Sequence, residues 1–283
     1  FFPKMKFVLR GDVLKFMGDE SSVKHFAEVW DNIITYYENF NQLPLSTLND
    51  ILNNKYKIDS KELAGKEVLV YGNKGRVIKA RTKNQLKMVT SIQKNDLLFA
   101  VGPAGSGKTY TAVALAVKAL KERVVKKIIL TRPAVEAGEN LGFLPGDLKE
   151  KLDPYLQPLY DALRDMIPSE KLSEYLESGV IQIAPLGFMR GRTLDQAFVI
   201  LDEGQNTTHS QIKMFLTRMG RSAKFIVTGD VTQVDLPKNQ DSGLKIALNL
   251  FKNHKEISIV KLDEHDVIRH QLVKTIINAF NEK

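Results

Sequence analysis

The sequence predicts an α/β protein built on a parallel sheet with helices on both faces. Two observations lead to this prediction: from residue 82 onward short apolar runs alternate with helical patterns, and a phosphate-binding loop motif joins one such run to a helix. Parallel strands need long crossover connections, so this alternation buries the sheet on both faces. The predicted strands are Leu97–Val101, Lys127–Thr131, Ile181–Ala184, Phe198–Leu201, Phe225–Thr228 and Ile257–Val260.

The part of the chain before residue 82 predicts smaller elements. Lys6–Leu9 and Val13–Met17 are typical of short strands, and Ser21–Asn39 has the apolar spacing of an amphipathic helix. A second, shorter helix is predicted to open at Ser46. We expect a small N-terminal α/β domain over residues 1–60, which is a candidate KH-like module.

A β-hairpin is predicted next. Val68–Tyr71 and Arg76–Lys79 flank Gly72-Asn73-Lys74-Gly75, a turn-forming tetrapeptide. The same tetrapeptide has the G-x-x-G pattern of a KH loop, but its flanking segments predict strands, which favours a hairpin turn. We therefore predict a basic β-hairpin bridge over residues 61–81 and the main domain over residues 82–283.

Composition limits the class of protein. The 283 residues are 43% hydrophobic and 26% charged, which is ordinary for a globular chain, and 41 Lys plus Arg against 33 Asp plus Glu give a net charge of +8. This charge favours a polyanionic partner. The chain has no cysteine and therefore no disulfide or thiolate metal site. Its apolar runs are shorter than the roughly 20 residues of a membrane-spanning helix, so we expect a cytoplasmic protein with no membrane partner.

The octapeptide Gly102–Thr109 matches G-x-x-x-x-G-K-T between a predicted strand and a predicted helix. Glycines let successive backbone N–H groups point at phosphates, and the helix dipole adds positive potential. Lys108 supplies a cation, and the Thr109 hydroxyl is a candidate magnesium ligand. The predicted nucleotide-binding residues here are Gly102, Pro103, Ala104, Gly105, Ser106, Gly107, Lys108, Thr109 and Tyr110.

Two carboxylates follow the strand Phe198–Leu201. Because the carboxyl ends of parallel strands share one edge, Asp202 and Glu203 are expected beside the phosphate loop. Asp202 is then a magnesium-orienting residue, and Glu203 polarises the water that attacks the γ-phosphate. The other interpretation is a helix N-cap pair. A small-molecule kinase has no need of the second acid, so Glu203 favours hydrolysis.

Further polar residues lie near the same edge. Thr228-Gly229-Asp230 ends a strand with Gln233 close behind, which is either a γ-phosphate sensor or a tight turn. Gln85 precedes the phosphate loop, and its amide carries a donor and an acceptor suited to an adenine edge. A glutamine on a helix surface has the same sequence pattern.

Four further segments of the sequence carry specific motifs, and these are Thr131–Glu139, Leu141–Asp147, Asp153–Tyr155 and Leu201–Asn206. Together they resemble the bacterial PhoH-like ATPase family, whose core is similar to that of superfamily 1 helicases, and the resemblance extends over nearly the whole chain. The family's Asp-Glu-Ala-Gln is Asp-Glu-Gly-Gln here, with Gly204 in the alanine position, and its common phosphate-loop threonine is Ser106. Neither change removes a functional side chain.

The resemblance implies a RecA-like ATPase with a nucleic-acid-linked role, acting on RNA. By position it implies that Gln85 reads adenine, that Gln233 couples the γ-phosphate to motion and that Arg269 is an arginine finger. A solvated helix residue is the other interpretation of Arg269. The candidate catalytic set is therefore Glu203, Lys108, Asp202, Gln233 and Arg269.

Two basic segments are candidates for RNA contact. The segment Tyr71–Lys87 holds six basic residues and no acidic one, which suits a phosphate backbone; lysines that protect exposed strand edges would give the same pattern. Arg190 and Arg192 follow a predicted strand and are expected to meet RNA or a neighbouring subunit's nucleotide. The basic residues of the first segment are Lys74, Arg76, Lys79, Arg81, Lys83 and Lys87.

These expectations combine into magnesium-dependent ATP hydrolysis coupled to RNA binding or remodelling, in RNA processing. The alternative is a nucleotide-gated RNA-binding adaptor that recruits a ribonuclease without unwinding, and a small-molecule kinase is a further rival. The chain holds one RecA-like core where monomeric superfamily 1 helicases use two, so either hydrolysis is slow or neighbouring subunits complete the site. We expect the second, in a homo-oligomer that forms a hexameric ring.

Overall fold

A computed structural model describes residues 2–3, 5–10, 13–40, 43, 45–53, 68–133, 148–237 and 239–267. The chain divides into two compact units, Phe1–Glu67 and Val68–Lys283. None of the helices in the described ranges is both long enough and apolar enough to cross a membrane.

The first unit contains a two-stranded sheet and two helices. Strands β1 (Lys6–Arg10) and β2 (Val13–Met17) pair antiparallel. Helix α1 (Glu20–Phe40) follows them, then α2 (Leu45–Leu52). The ring of Phe26 packs edge-on against rings from both strands and anchors the sheet to α1. The predicted strands and helices are present, and similarity to a KH module stays a prediction.

The second unit is built on a six-stranded sheet with the order β10-β5-β9-β8-β6-β7, and every pairing in it is parallel. The predicted parallel α/β fold is therefore confirmed. Each strand matches its predicted segment to within one residue at either end, as expected for strand boundaries. The strands are β5 (Leu97–Val101), β6 (Lys127–Arg132), β7 (Ile181–Pro185), β8 (Ala197–Leu201), β9 (Lys224–Gly229) and β10 (Ile257–Lys261).

Helices cover both faces of this sheet. Along β5, Leu98 and Ala100 belong to the core on one face, while Phe99 and Val101 belong to the core on the other. This alternation follows from the two-residue period of a strand. Helices α3, α4, α5 and α6 share the first core, and α7 and α8 share the second. Their bounds are α3 (Lys83–Lys94), α4 (Lys108–Lys121), α5 (Leu148–Met166), α6 (Ser169–Glu177), α7 (His209–Leu216) and α8 (Gly243–Phe251).

The predicted hairpin is present and belongs to the second unit. Strand β3 (Val68–Tyr71) pairs antiparallel with β4 (Val77–Lys79), and the tip forms a short 3-10 turn, Asn73–Gly75. The prediction that β4 begins at Arg76 was wrong by one residue, since the strand begins at Val77. The Arg76 backbone N–H instead donates to Asn73 O at 3.1 Å and closes the turn at the tip of the hairpin. Buried residues of both strands join the core around α4.

The strand order positions the site. Strands β5, β9, β8 and β6 are consecutive neighbours and all run in one direction, so the loops that follow them leave the sheet at one edge. These loops carry the phosphate-loop motif, Asp230 and the Asp202–Glu203 pair, and Arg132 is the last residue of β6 at the same edge.

Candidate nucleotide-hydrolysis site

The phosphate-loop motif occupies the turn between β5 and α4. Gly107 adopts a left-handed conformation (φ 79°, ψ 17°) and caps the start of α4. This backbone conformation favours glycine, and a Cβ atom there would also lie 2.7 Å from Gln85 Nε2, so the glutamine amide would have to move. The N-terminus of α4 is thereby open toward the loop, which is the geometry that binds phosphate.

Lys108 lies within this loop and is largely buried. Its Nζ donates to Gly102 O and to Pro103 O, each at 2.8 Å. These bonds fold the ammonium group back over the start of the loop. The ammonium group is therefore held at the phosphate loop, where it can exchange these carbonyl partners for a phosphate oxygen.

Asp202 joins three elements. Its Oδ1 accepts hydrogen bonds from Thr109 Oγ1 (2.6 Å) and from Thr228 Oγ1 (2.7 Å), which connects β8 to α4 and β9. The carboxylate is buried. Two hydroxyls and a carboxylate form a set of hard oxygen donors, and a buried negative charge favours a cation, so Thr109 and Asp202 fit a magnesium ion.

Glu203 follows Asp202 in a left-handed conformation, with φ 53° and ψ 40°. A non-glycine residue in this conformation costs of the order of 1–3 kcal/mol and is found most often at functional sites. Glu203 lines the same cavity as Asp202. Its Oε1 lies 3.2 Å from Arg132 Nη2, and its Oε2 accepts a hydrogen bond from Gln205 Nε2.

Gln205 connects the acidic pair to β9. Its side chain is buried, with Nε2 donating to Glu203 and Oε1 accepting from the Asp230 backbone N–H at 3.0 Å. A Cβ at Gly229 would lie 2.6 Å from Gln205 Oε1, so glycine at this strand end makes room for the amide. The Gln205 side chain thus connects the backbone at the end of β9 to the Glu203 carboxylate.

Asp230 and Gln233 form the next turn. Asp230 is buried, and its Oδ1 accepts from the N–H and the hydroxyl of Thr232 at 2.9 Å and 2.6 Å. Gln233 donates its backbone N–H to Asp230 O at 3.2 Å and lines the same cavity as Glu203. The two sequence interpretations are compatible here, because these residues form a tight turn that also faces the site.

The structure brings most of the predicted residues around one cavity of about 540 Å³. Gly102, Pro103 and Ser106 hold the loop behind this lining. Arg269 and the motif segment 134–147 lie outside the described residues. The predicted residues that line the cavity are Ala104, Gly105, Gly107, Lys108, Thr109, Tyr110, Asp202, Glu203 and Gln233.

Gln85 lies under the loop and lines an adjoining cavity. Its Nε2 donates to Ser106 O at 2.9 Å, and its Oε1 accepts from the Arg81 backbone N–H at 2.8 Å. The side chain is buried, unlike that of a glutamine on a helix surface. It ties the start of α3 to the phosphate loop, and its role toward adenine stays a prediction.

Two residues in the site were not assigned a role from the sequence. Arg132 ends β6 and reaches both acids, with Nε 4.0 Å from Asp202 Oδ2, while its Nη1 donates to Tyr155 O at 2.8 Å. Gln205 was noted only as part of a motif. The signal for both was available, since Arg132 directly follows the predicted strand Lys127–Thr131 and Gln205 stands two residues after Glu203 at the same edge.

Tyr110 adds a contact on the far side of the loop. Its hydroxyl donates to Asp165 Oδ2 at 3.2 Å, and Arg76 Nη1 lies 3.1 Å from the same oxygen. Partial burial and the neighbouring Asp165 carboxylate raise the pKa of the Tyr110 phenol above its ordinary value. The first turn of α4 is therefore joined to the end of α5 and to the hairpin.

The fold and the site define a class. A phosphate loop opens onto the same sheet edge as a strand-end Asp-Glu pair, with one strand, β9, lying between β5 and β8. The second unit is a RecA-like P-loop NTPase core, and the protein is a nucleotide-binding protein of the P-loop NTPase class.

Comparison with known proteins gives the family. The family model described as PhoH-like protein matches residues 77–281. A PhoH-like protein of Bacillus subtilis is 47% identical over 283 residues, covering 99% of this chain and 88% of its own. A PhoH-like protein of Synechocystis is 45% identical, covering 97% and 84%. The chain belongs to the PhoH-like protein family, which confirms the resemblance seen in its motifs.

Solved structures are more distant. A Pif1 helicase from Candida albicans aligns with a TM-score of 0.39 at 15% identity, covering 72% of this chain and 44% of the helicase chain. A Pif1 helicase from Bacteroides, solved with ADP-AlF3 and single-stranded DNA, aligns with a TM-score of 0.35 at 16% identity, covering 72% and 47%.

Proposed function

We propose that this protein is a magnesium-dependent ATPase whose hydrolysis is coupled to RNA. The observation that supports it most directly is the Asp202 carboxylate. It lies within hydrogen-bonding distance of the phosphate-loop Thr109 and of Thr228 on β9, with Glu203 next to it facing the cavity.

In this proposal the phosphates occupy the loop. The N-terminus of α4 and the Lys108 ammonium receive them, and the carbonyl contacts of Lys108 are exchanged for phosphate oxygens. Thr109 and Asp202 would hold magnesium, whose charge would offset that of the phosphates. The oxygen atoms of these two candidate ligands lie 2.6 Å apart.

Glu203 is the proposed general base. Arg132 contacts one oxygen of its carboxylate and Gln205 donates to the other, which fixes the orientation of the carboxylate. Each oxygen keeps a further lone pair that can accept a hydrogen bond from water. Glu203 then orients the attacking water and takes its proton. Gln205 bonds both to Glu203 and to the backbone at the end of β9, which supports a role for Gln233 and Asp230, on the turn that follows, in sensing the γ-phosphate.

The RNA surface is proposed at the turn after β7. The side chain of Phe188 is 59% exposed, whereas Leu186 and Met189 of the same turn are buried. The turn is therefore packed against the core while the aromatic ring of Phe188 lies at the surface. Arg190 follows it and is exposed, whereas Arg192 is held by Gln182 Oε1 at 2.6 Å. An exposed ring beside an arginine suits single-stranded RNA, whose bases stack and whose phosphates carry the charge.

The last part of the proposal is that identical subunits assemble into a ring. One core supplies the phosphate loop and the acidic pair, and an arginine from a neighbouring copy would cap the γ-phosphate. Arg269 is the candidate on sequence grounds, and the hexamer is the assembly we propose.

The deciding experiment measures phosphate release by the purified protein with and without RNA, at defined salt, together with its mass in solution. We expect magnesium-dependent ATPase activity that RNA stimulates, in a sample of hexameric mass. Strand displacement on a partial duplex would exclude the pure ribonuclease-recruiting adaptor. ATP turnover that required a small-molecule acceptor would replace the proposal with a kinase.

A further inference from the structure

The loop that follows β9 is held in its first half by its own residues. We call residues 230–237 the Gln233 loop, because it carries Gln233, which lines the cavity of the candidate site. Before Gln233, the Asp230 carboxylate accepts from the backbone N–H and the hydroxyl of Thr232, and the Asp230 carbonyl accepts from the Gln233 N–H. After Gln233 the loop continues to Asp235, which is exposed. This second half is held by a contact from another part of the fold.

That contact comes from Asn206, in the turn that follows Glu203. Asn206 Oδ1 accepts from the Asp235 backbone N–H at 2.9 Å, and Asn206 Nδ2 donates to Asp235 Oδ2 at 3.1 Å. The Asn206 backbone N–H in turn donates to Glu203 O at 2.9 Å. Asn206 is buried, so these hydrogen bonds are largely shielded from water. One residue thus joins the Glu203 turn to the part of the loop beyond Gln233.

The residues on either side of Asn206 make similar contacts. Gln205 Oε1 accepts from the Asp230 N–H at 3.0 Å, at the start of the loop. Thr207 O accepts from the Gly243 N–H at 2.7 Å, at the start of α8. Three consecutive residues of one turn therefore hold three successive points of the chain that follows β9, and Asn206 holds the middle one.

We infer that Asn206 is a positioning residue for ATP hydrolysis, which acts through Asp235 on the place of Gln233. The inference rests on the proposed function, in which Gln233 senses the γ-phosphate beside the general base Glu203. Asn206 is not among the residues that line the cavity, so it acts through the loop rather than by contact with nucleotide. Because ADP has no γ-phosphate, losing this contact should affect ATP hydrolysis and leave ADP binding nearly unchanged.

The Asn206–Asp235 pair allows a test by exchange of its side chains. Asn206→Asp removes the amide donor and places a second carboxylate against that of Asp235, which adds repulsion. In Asp235→Asn the new amide oxygen still accepts from Asn206 Nδ2, so both hydrogen bonds can form. The double variant combines the two changes and exchanges donor and acceptor, so both bonds can form again. Asn239→Asp is the matched control, because Asn239 is exposed further along the chain and is not among the residues that line the cavity.

The measurements, on the full chain with magnesium, are kcat and KM for phosphate release from ATP, and ADP affinity by titration calorimetry. We expect Asn206→Asp to lower kcat about tenfold, which is roughly 1.4 kcal/mol, while ADP affinity stays within about twofold of native. Asp235→Asn, the double variant and Asn239→Asp should keep kcat within about threefold of native. Calorimetry also counts the folded sites. A merely structural role for Asn206 would lower that number and leave kcat per site unchanged.

Native kcat per site in Asn206→Asp would overturn the inference. So would a loss of kcat that the double variant, folded by the same count, does not restore, or an equal loss of kcat and ADP affinity. If Asn206→Asp does not fold, Asp235→Ala is measured in its place, because Asp235 is exposed and its side chain accepts one of the two hydrogen bonds. Asp235→Ala should lower kcat about threefold or more, and native kcat there would equally overturn the inference.

Failure of the proposed function gives a different result. Native protein that released no phosphate from ATP would reject the ATPase proposal and the inference with it. Native protein that hydrolysed ATP, with an Asn206→Asp variant equally active, would reject the inference alone.

Discussion

Replacing Glu203 by glutamine should separate ATP binding from ATP hydrolysis. Glutamine keeps the length of the side chain and one oxygen acceptor, but it cannot take a proton from water. The loss of a general base lowers turnover by about 10²- to 10⁴-fold, or roughly 3–5 kcal/mol in the activation free energy. Lys108, Thr109 and Asp202 are untouched, so ATP affinity should stay within about threefold of native.

The structure also limits the cost of Glu203→Gln to folding. The carboxylate pairs with Arg132 at 3.2 Å, and the two side chains are 36% and 23% exposed, so the pair contributes about 0–1 kcal/mol. One hydrogen bond to Arg132 or Gln205 is lost as well, about 1 kcal/mol. The expected loss of folding stability is thus smaller than the loss in catalysis.

The assay follows phosphate release under saturating ATP and binding of a labelled ATP analogue on the same preparations. Glu122→Gln is the matched control, because Glu122 is 55% exposed and pairs only loosely with Lys118 at 3.9 Å, away from the cavity. Native turnover in Glu203→Gln would refute the assignment of the base. Loss of binding together with turnover would show instead that Glu203 maintains the site.

Other perturbations probe other parts of the proposal. Lys108→Ala should weaken ATP binding by about tenfold or more, as the loss of a charge-assisted phosphate contact requires, and unchanged affinity would contradict its role. Mixing Arg269→Ala with Lys108→Ala subunits should restore some ATPase activity if the finger acts between subunits, and no recovery despite demonstrated exchange would return Arg269 to its own subunit. Because the pKa of the Tyr110 phenol is raised in the folded protein, Tyr110 contributes folding stability below about pH 10, and this stability is lost as the pH rises further. Between about pH 9 and 11 the urea midpoint of Tyr110→Phe should therefore fall less than that of the native protein. Arg190→Ala should shallow the slope of log RNA affinity against log salt by about 0.7, and an unchanged slope would move the RNA site elsewhere.

The local elements were predictable from the sequence because each depends on short-range pattern. An apolar run, a glycine-rich turn and a helical pattern follow one another without a break in the sequence. Together they predict β5, the phosphate loop and the start of α4. The same holds for β8 and the Asp202–Glu203 pair. Because the carboxyl ends of parallel strands meet at one edge of the sheet, the sequence also predicted that these two motifs would lie near each other.

What the sequence alone determined is therefore the class of fold, its phosphate loop and its acidic pair, since those follow from local periodicity and from motifs whose spacing is contiguous. Tertiary structure decided the rest. Gln205 and Asp230 are separated along the chain, and only the placement of β9 next to β8 brings them within 3.0 Å. The hairpin is attached to the end of α5 because the Asn73 amide donates to the carbonyls of Arg164 and Ile167, about ninety residues later, a contact that depends on chain packing and leaves no local pattern.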